Sequence, residues 1–236
     1  LDLIFPHHEN EIAQSCGAHG HHNNPQFFAK YWIHNGLLDF DGEKMSKSIG
    51  NIEYIHDLTK KHSGEVLRLA LLSTHYRQPL NWNDEIINQC QTILDRLYRV
   101  LKSVEDIDCS NQDKKPSVNV LEALCDDLNT SKALAELNEI AGKLSTCSSD
   151  EASDFKAQLQ SAANVLGILQ QSPDEWLGIG QTTDDIDKNK VESLIKEREE
   201  ARLSKNFERA DQIRSELSGM GIEIEDTPKG TIWRSK

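Results

Sequence analysis

Lys44-Met45-Ser46-Lys47-Ser48 sets two lysines three residues apart between Gly42 and Gly50. A glycine-flanked loop of this kind can fold over a triphosphate and put compact ammonium charges on its β- and γ-phosphates as pyrophosphate leaves. A bare K-x-x-K reads first as a solvated basic loop. All five letters together arise by chance in a chain this long only on the order of once in ten thousand. A second constellation, Phe5-Pro6-His7-His8-Glu9-Asn10-Glu11, holds His7 and Glu11 four residues apart. On a helix opening at Pro6 the two share a face and can reach one cation, with His8 and Glu9 turned elsewhere. The same letters describe a polar helix start with Glu9 at the positive end of the dipole, and H-x-x-x-E alone does not choose between the two. The order is not the H-E-x-x-H of a metalloprotease, and two donors do not complete a zinc site.

These residues need elements to hold them. Leu1–Phe5 reads as a strand end, His7–Ser15 as a helix and Gly17–Asn24 as a loop. Tyr31-Trp32-Ile33-His34, then Asn35-Gly36, then Leu37-Leu38-Asp39-Phe40, reads as a β-hairpin turning at Asn-Gly. Ser63 is placed to cap a buried helix through Leu72. From Asn83 a long amphipathic helix carries Ile86, Ile87, Cys90, Ile93, Leu94, Leu97, Tyr98, Leu101 and Val104 at helical spacing. Further helices follow through Leu121/Leu124/Leu128, Leu134/Leu137/Ile140/Leu144 and Phe155/Leu159/Leu166, which together make a bundle. Ser172–Glu175 reads as a short capped turn, and Gly178–Asp187 has linker composition. Asn189-Lys190-Val191-Glu192 matches a capping box that opens a helix. A second helix, Phe207–Leu217, leads to a hairpin of Ile222–Asp226 and Thr231–Arg234 around Pro228-Lys229-Gly230.

The 236 residues carry a formal charge of -13. That excludes a broadly basic nucleic-acid binder, because phosphate contacts need clustered Lys and Arg. The charge is uneven: residues 188–236 hold 11 Lys/Arg against 10 Asp/Glu, so a nucleic-acid contact is expected to be local. Five cysteines with no C-x-x-C pair speak against a secreted disulfide scaffold and for a reducing cytoplasm. The longest apolar run, Val66–Leu72, is broken by Arg68 and is too short to span a bilayer. Leu1 is not a natural start, so the sequence reads as a fragment of a longer chain.

Lys44-Met-Ser-Lys47-Ser48 is the K-M-S-K-S signature of class I aminoacyl-tRNA synthetases. Together with Asp2-Leu3-Ile4-Phe5-Pro6-His7-His8-Glu9-Asn10-Glu11, the chain closely resembles the cysteinyl-tRNA synthetases. The likeness extends over Tyr31–Gly36, His75-Tyr76-Arg77, Asp127-Leu128-Asn129-Thr130, Phe207–Arg214 and Gly221–Arg234. It implies a mainly α chain with an α/β portion: the end of a Rossmann-type catalytic domain (1–22), a stem-contact region with the K-M-S-K-S loop (23–88), a helical bundle that binds tRNA (89–172), a linker (173–187) and a small α+β anticodon-binding domain (188–236).

The same resemblance implies a function and a set of site residues. The function is ATP-dependent attachment of cysteine to its tRNA through a cysteinyl adenylate. ATP enters with Mg2+, and the partners are cysteine, ATP and tRNA, with no DNA and no membrane, in a cytoplasmic and monomeric protein. Lys47 and then Lys44 are the triphosphate-binding catalytic residues, and Asp2 lies near the ATP ribose. One Zn2+ is held by His7, Glu11 and two cysteines expected before residue 1. Zinc prefers a soft thiolate to a serine hydroxyl, so an open zinc position selects cysteine. Cys16 follows the His/Glu pair and matches no family ligand. The H-I-G-H-type signature is also expected before residue 1, so the chain by itself is expected to be inactive. Arg198, Arg202, Arg209, Arg214, Lys229, Arg234 and an exposed Trp233 are the expected tail contacts to RNA. The competing readings are a cysteine ligase of thiol biosynthesis, which lacks such a tail, and a non-catalytic RNA-binding fragment. A zinc hydrolase lacks its third ligand.

Overall fold

The protein is described by a computed structural model covering residues 3–20, 28–44, 53–110, 115–179, 187–227 and 230–235. Asp2, residues 45–52 with Lys47, and Lys229 lie outside the described residues, as does the side chain of Lys44.

An irregular π-type turn over Leu3–His8, with Phe5 extended, precedes helix α1 (Glu9–Ala18). Helical backbone thus runs from Pro6, just after the extended Phe5, through the π-type turn into α1. After residues 31–37, which form no strand, come β1 (Leu38–Phe40) and β2 (Glu43–Lys44). The hairpin expected at Asn35-Gly36 is instead made by β1 and β2 around Asp41-Gly42, whose φ values of 49° and 80° are the left-handed pair a two-residue turn demands. Asn35-Gly36 does not turn because Gly36 N–H donates to Tyr76 O at 2.7 Å and Leu37 O accepts from Leu80 N–H at 3.0 Å. The segment thus runs alongside residues 76–80. A Cβ on Gly36 would collide with the Gln78 carbonyl, so this close approach requires glycine.

Helices α2 (Ile55–Lys61) and α3 (Gly64–Leu72) then lead to β3 (Leu80–Trp82), which pairs parallel with β1 in a sheet ordered β2-β1-β3. Ser63 caps α3 by accepting from Glu65 N–H, as its position predicts.

Asn83 caps α4 (Asp84–Ser103), which packs on α3, on α6 (Thr130–Thr146) and on α8 (Pro173–Leu177). Helices α5 (Val118–Cys125) and α7 (Ser149–Leu166) complete the bundle. One core runs continuously from Val66 on α3 to Ile168 beyond α7. A boundary at 88/89 would cut through α4, whose Ile87, Cys90 and Leu94 are all buried, so the stem-contact region and the bundle share one core. The first part of the expected linker is likewise structural. Trp176 of α8 stacks on Tyr98 with ring centroids 4.6 Å apart and donates to Asp95 at 2.8 Å.

Two buried polar side chains close this core. The Lys156 ammonium donates to Val104, Glu105 and Ile107 carbonyls at 3.0, 3.1 and 2.7 Å, using all three protons just beyond α4. The Glu65 carboxylate accepts from the Tyr98 hydroxyl (2.9 Å), Leu169 N–H (2.9 Å) and Gln170 N–H (2.9 Å), and Gln171 N–H donates to the Tyr98 oxygen. Burial raises the Tyr98 pKa well above its ordinary value. Glu65→Ala would leave three donors unmet, so it is expected to destabilise the fold by about 3 kcal/mol in urea unfolding, with Tyr98→Phe costing less. Equal stability of wild type and Glu65→Ala would show that water replaces the carboxylate.

The tail has its own core. Helices α9 (Lys188–Leu203) and α10 (Phe207–Gly219) pack together and α10 packs on β4 (Ile222–Thr227), which pairs antiparallel with β5 (Gly230–Ser235). The cap of α9 is Asp187, accepting from Asn189 N–H at 2.9 Å, and not the expected Asn189. An aspartate just before the first helical residue caps the helix two residues earlier than the capping-box pattern placed it.

Candidate functional site

The residues that carry the motif chemistry sit in the first third of the chain, on the sheet β2-β1-β3 and on the turn before α1. Lys44 ends β2 opposite Asp39, so the backbone of the residue that precedes Met45 in sequence is held in a paired strand. Two bonds latch this hairpin to β3: Asp41 N–H donates to Trp82 O at 3.1 Å and Gly42 N–H to Asn81 Oδ1 at 2.8 Å. The sequence offered no periodic signal for this latch, because Asn81 lies 39 residues from Gly42.

His7 lies in the π-type turn and Glu11 in the first turn of α1, both exposed. Helical backbone runs from His7 to Glu11, the first in the π-type turn and the second in α1. Their nitrogen and carboxylate donors suit zinc as two of four ligands, and among the described residues no group of three His, Cys, Asp or Glu gathers to complete a set. Cys16 is buried on α1.

His8 has a role that spacing did not reveal. Its ring stacks on Trp32 with centroids 3.7 Å apart, and Trp32 stacks in turn on Phe28 at 5.5 Å. His8 Nδ1 lies 3.0 Å from His34 Nε2, so one of these nitrogens carries the proton and the other accepts it. This ladder ties the turn bearing His7 to residues 28–34. Trp32 is thus a packed aromatic, though in a non-hairpin segment. Phe5, Tyr31, Ile33, Tyr54 and Ile55 stay exposed, at 75, 87, 63, 59 and 77 %.

In the tail, the expected RNA contacts are differently engaged. Arg198, buried, forks onto Asp226 at 2.7 and 2.9 Å, and Arg202 pairs with the same carboxylate. The Arg198 fork holds Asp226 well below the usual carboxylate range. Arg209 pairs with Glu197 and Arg234 with Glu223. Trp233 is 7 % exposed and packs with Val191, Ile213 and Leu217, because its place opposite Ile224 on β5 faces α9 and α10. It is a core residue, not the exposed aromatic expected. Arg214, unpaired among the described residues, lines a cleft of about 900 Å³ between the end of α4, the stretch after α8 and the β4–β5 hairpin. Ile179 bridges to Arg234 at this junction, which places the stretch after α8 beside β5.

Comparison with known proteins gives three family matches: the class I (C) tRNA synthetase catalytic domain over residues 1–92, the DALR domain over 119–170 and the cysteinyl-tRNA ligase anticodon binding domain over 188–234. The cysteine–tRNA ligases of Xanthomonas campestris pv. campestris and Rhodospirillum rubrum are each 48 % identical across 99 % of this chain, which covers 50 % of each relative. That of Parvibaculum lavamentivorans is 45 % identical across 99 % of the chain, covering 49 % of its length. In the crystal structure of the ternary complex of Agrobacterium radiobacter K84 agnB2 LeuRS–tRNA–LeuAMS, one chain superposes on 62 % of this one with a TM-score of 0.51 at 17 % identity, covering 22 % of that chain, a likeness of fold alone. With similarity to cysteine–tRNA ligases running almost end to end, and about half their length spanned, the chain belongs to the cysteinyl-tRNA synthetase family.

Proposed function

We propose that the chain supplies the triphosphate loop, half of a zinc site and the tRNA-contacting domains of an enzyme that joins cysteine to its tRNA. The observation that carries this reading is the anchoring of Lys44. A latched β1–β2 hairpin delivers the Lys44-Met-Ser-Lys47-Ser run from a fixed strand end in a chain 48 % identical to cysteine–tRNA ligases. In the first step the cysteine carboxylate oxygen bonds the α-phosphorus of ATP, and the bond from that phosphorus to the bridging oxygen of the β-phosphate breaks. Lys47 and Lys44 hold the β- and γ-phosphates as charge gathers on the departing Mg2+-pyrophosphate, and Asp2 meets the ribose. A hydroxyl oxygen at the tRNA's 3′ end then bonds the carbonyl carbon of the adenylate as its proton is lost, and the bond from that carbon to the phosphate oxygen breaks, releasing AMP. His7 and Glu11, with two cysteines outside this sequence, would hold a zinc ion, which would supply a Lewis acid that prefers a thiolate to a hydroxyl.

In this reading 1–22 ends the nucleotide fold, the region around 23–88 meets the acceptor stem, the bundle that shares its core through α4 reaches toward the anticodon end, and 188–236 reads the anticodon. The chain spans about half the length of the cysteine–tRNA ligases it matches, which supports completion of the catalytic unit by further polypeptide, and the 236 residues alone are expected to form no adenylate. The 188–234 match disfavours a thiol-biosynthesis ligase without a tail.

The test is cysteine-dependent ATP–pyrophosphate exchange and tRNA charging by the full-length protein, with and without residues 188–236. Deletion is expected to lower charging at least about 10-fold more than exchange, since lost tRNA contacts leave adenylate chemistry intact. Equal losses would remove the anticodon assignment, and no exchange by the intact protein would remove the reaction.

A further inference from the structure

Asp127 joins two parts of the molecule that the sequence keeps 50 residues apart. It stands in the turn between α5 and α6, where Asp127 and Leu128 hold φ values of 52° and 54°. Two consecutive non-glycine residues in the left-handed region are a strained arrangement that persists only where surrounding contacts enforce it. Beyond the local backbone bonds of the turn itself, the contacts of Asp127 and Ser131 run to residues 73–77. Tyr76 OH donates to Asp127 Oδ1 at 2.6 Å, while Arg77 donates from Nε to Oδ2 at 2.7 Å and from Nη2 to Oδ1 at 3.1 Å. His75 Nε2 reaches the Asp127 carbonyl at 3.0 Å, and Ser131 Oγ donates to Ser73 O at 3.0 Å. The forked guanidinium, aided by the Tyr76 hydroxyl, pulls the Asp127 carboxyl down to about 2, so it is ionised at any working pH.

What these contacts hold is the loop that feeds β3. Tyr76 O accepts from Gly36 N–H, Leu80 N–H donates to Leu37 O, and β3 then pairs with β1 and latches the Asp41-Gly42 turn through Asn81 and Trp82. An unbroken line of short hydrogen bonds therefore runs from the bundle turn to the strand that ends at Lys44. We propose that Asp127 is a positioning residue for the triphosphate loop: by fixing Tyr76 and Arg77 it sets residues 36–42 against β3, and with them the point from which Lys44 and Lys47 are presented. The bundle thereby registers the phosphate-binding lysines through a bond network as well as through the shared core. This rests on the reading of Lys44 and Lys47 given above.

The experiment uses the full-length protein, with Asp127→Ala, Asp127→Asn and, as a milder change that keeps the charge but not the fork, Arg77→Lys. Pyrophosphate exchange is measured per titrated active site. Asp127→Ala is expected to lower kcat/KM for ATP about 10- to 100-fold while the KM for cysteine stays within about twofold. Asp127→Asn, which keeps a Tyr76 partner, is expected to fall between, and Arg77→Ala added to Asp127→Ala to cost nothing more. Amide hydrogen exchange, which needs no activity, is expected to quicken in residues 36–42 and at Leu80 but not in α6 or α7. Unchanged exchange in 36–42, an equal rise of both KM values, or a loss confined to the yield of folded protein would each overturn the proposal. Absence of cysteine-dependent exchange in the wild type would instead defeat the assigned reaction, and the amide measurement would still decide whether Asp127 holds the hairpin.

Discussion

Replacing Lys47 by alanine in the full-length protein is expected to slow cysteine-dependent pyrophosphate exchange by about 10²- to 10³-fold, the cost of removing one charge-stabilising donor from a transition state. Most of the loss should fall on kcat, with a smaller rise in KM for ATP. The ammonium is worth most when charge has gathered on the leaving phosphates, and a contact stronger in the transition state than in the ground state acts on kcat. Lys44→Ala should be milder, because Lys44 is the last residue of a paired strand, with its backbone held opposite Asp39. Lys47→Arg should recover only part of the rate: a planar fork meets phosphate oxygens differently from a compact ammonium. Exchange undiminished in the Lys44→Ala/Lys47→Ala double variant would reduce the signature loop to a solvated basic turn.

His7→Ala in the full-length protein is expected to weaken zinc retention by more than about 100-fold. Losing a direct ligand should exceed the 10- to 100-fold cost of losing a residue that only orients one. Two readouts follow. Zinc content after dialysis against a chelator should fall, and discrimination of cysteine from serine in pyrophosphate exchange should narrow, because the soft acceptor for sulfur would be gone. Glu11→Gln should act in the same direction more weakly, since an amide oxygen still donates a lone pair. His8→Ala is the control that separates ligation from architecture. It removes the stack on Trp32 and the contact with His34 but no proposed ligand, so zinc should be retained with modestly lower affinity. Full zinc retention in His7→Ala would end the assignment of this pair.

Some of this architecture was legible in the order of residues. Ser63, Asn83 and Ser172 announce helix starts by side chains that reach amides two or three residues on, and the structure places each cap there. The buried residues of α4 follow the spacing of Ile87, Cys90, Leu94, Leu97 and Leu101 because one helical period decides which side chains face the bundle. The C-terminal hairpin was readable for a similar reason, with Pro228-Lys229 between two runs whose register closes at Thr227 opposite Gly230. The misplaced hairpin at Asn35-Gly36 shows the limit. Two dipeptides with equal turn propensity, Asn35-Gly36 and Asp41-Gly42, lie six residues apart, and distant partners at Tyr76, Leu80 and Trp82 chose between them.

What the chain determined locally, then, is its helices, the caps at Ser63, Asn83 and Ser172, and the tail hairpin, since each depends on neighbours within a turn or two. Only the folded molecule decided that Asp127 would receive Arg77, that Glu65 would receive the amides of Leu169 and Gln170, and that Trp233 would turn inward. It also decided that Arg198 would spend its charge on Asp226 rather than offer it to a phosphate. The physical reason is that a buried or forked charge takes whichever opposite group packing brings within about 3 Å, and that group lies tens of residues away, beyond the reach of periodicity, propensity or spacing.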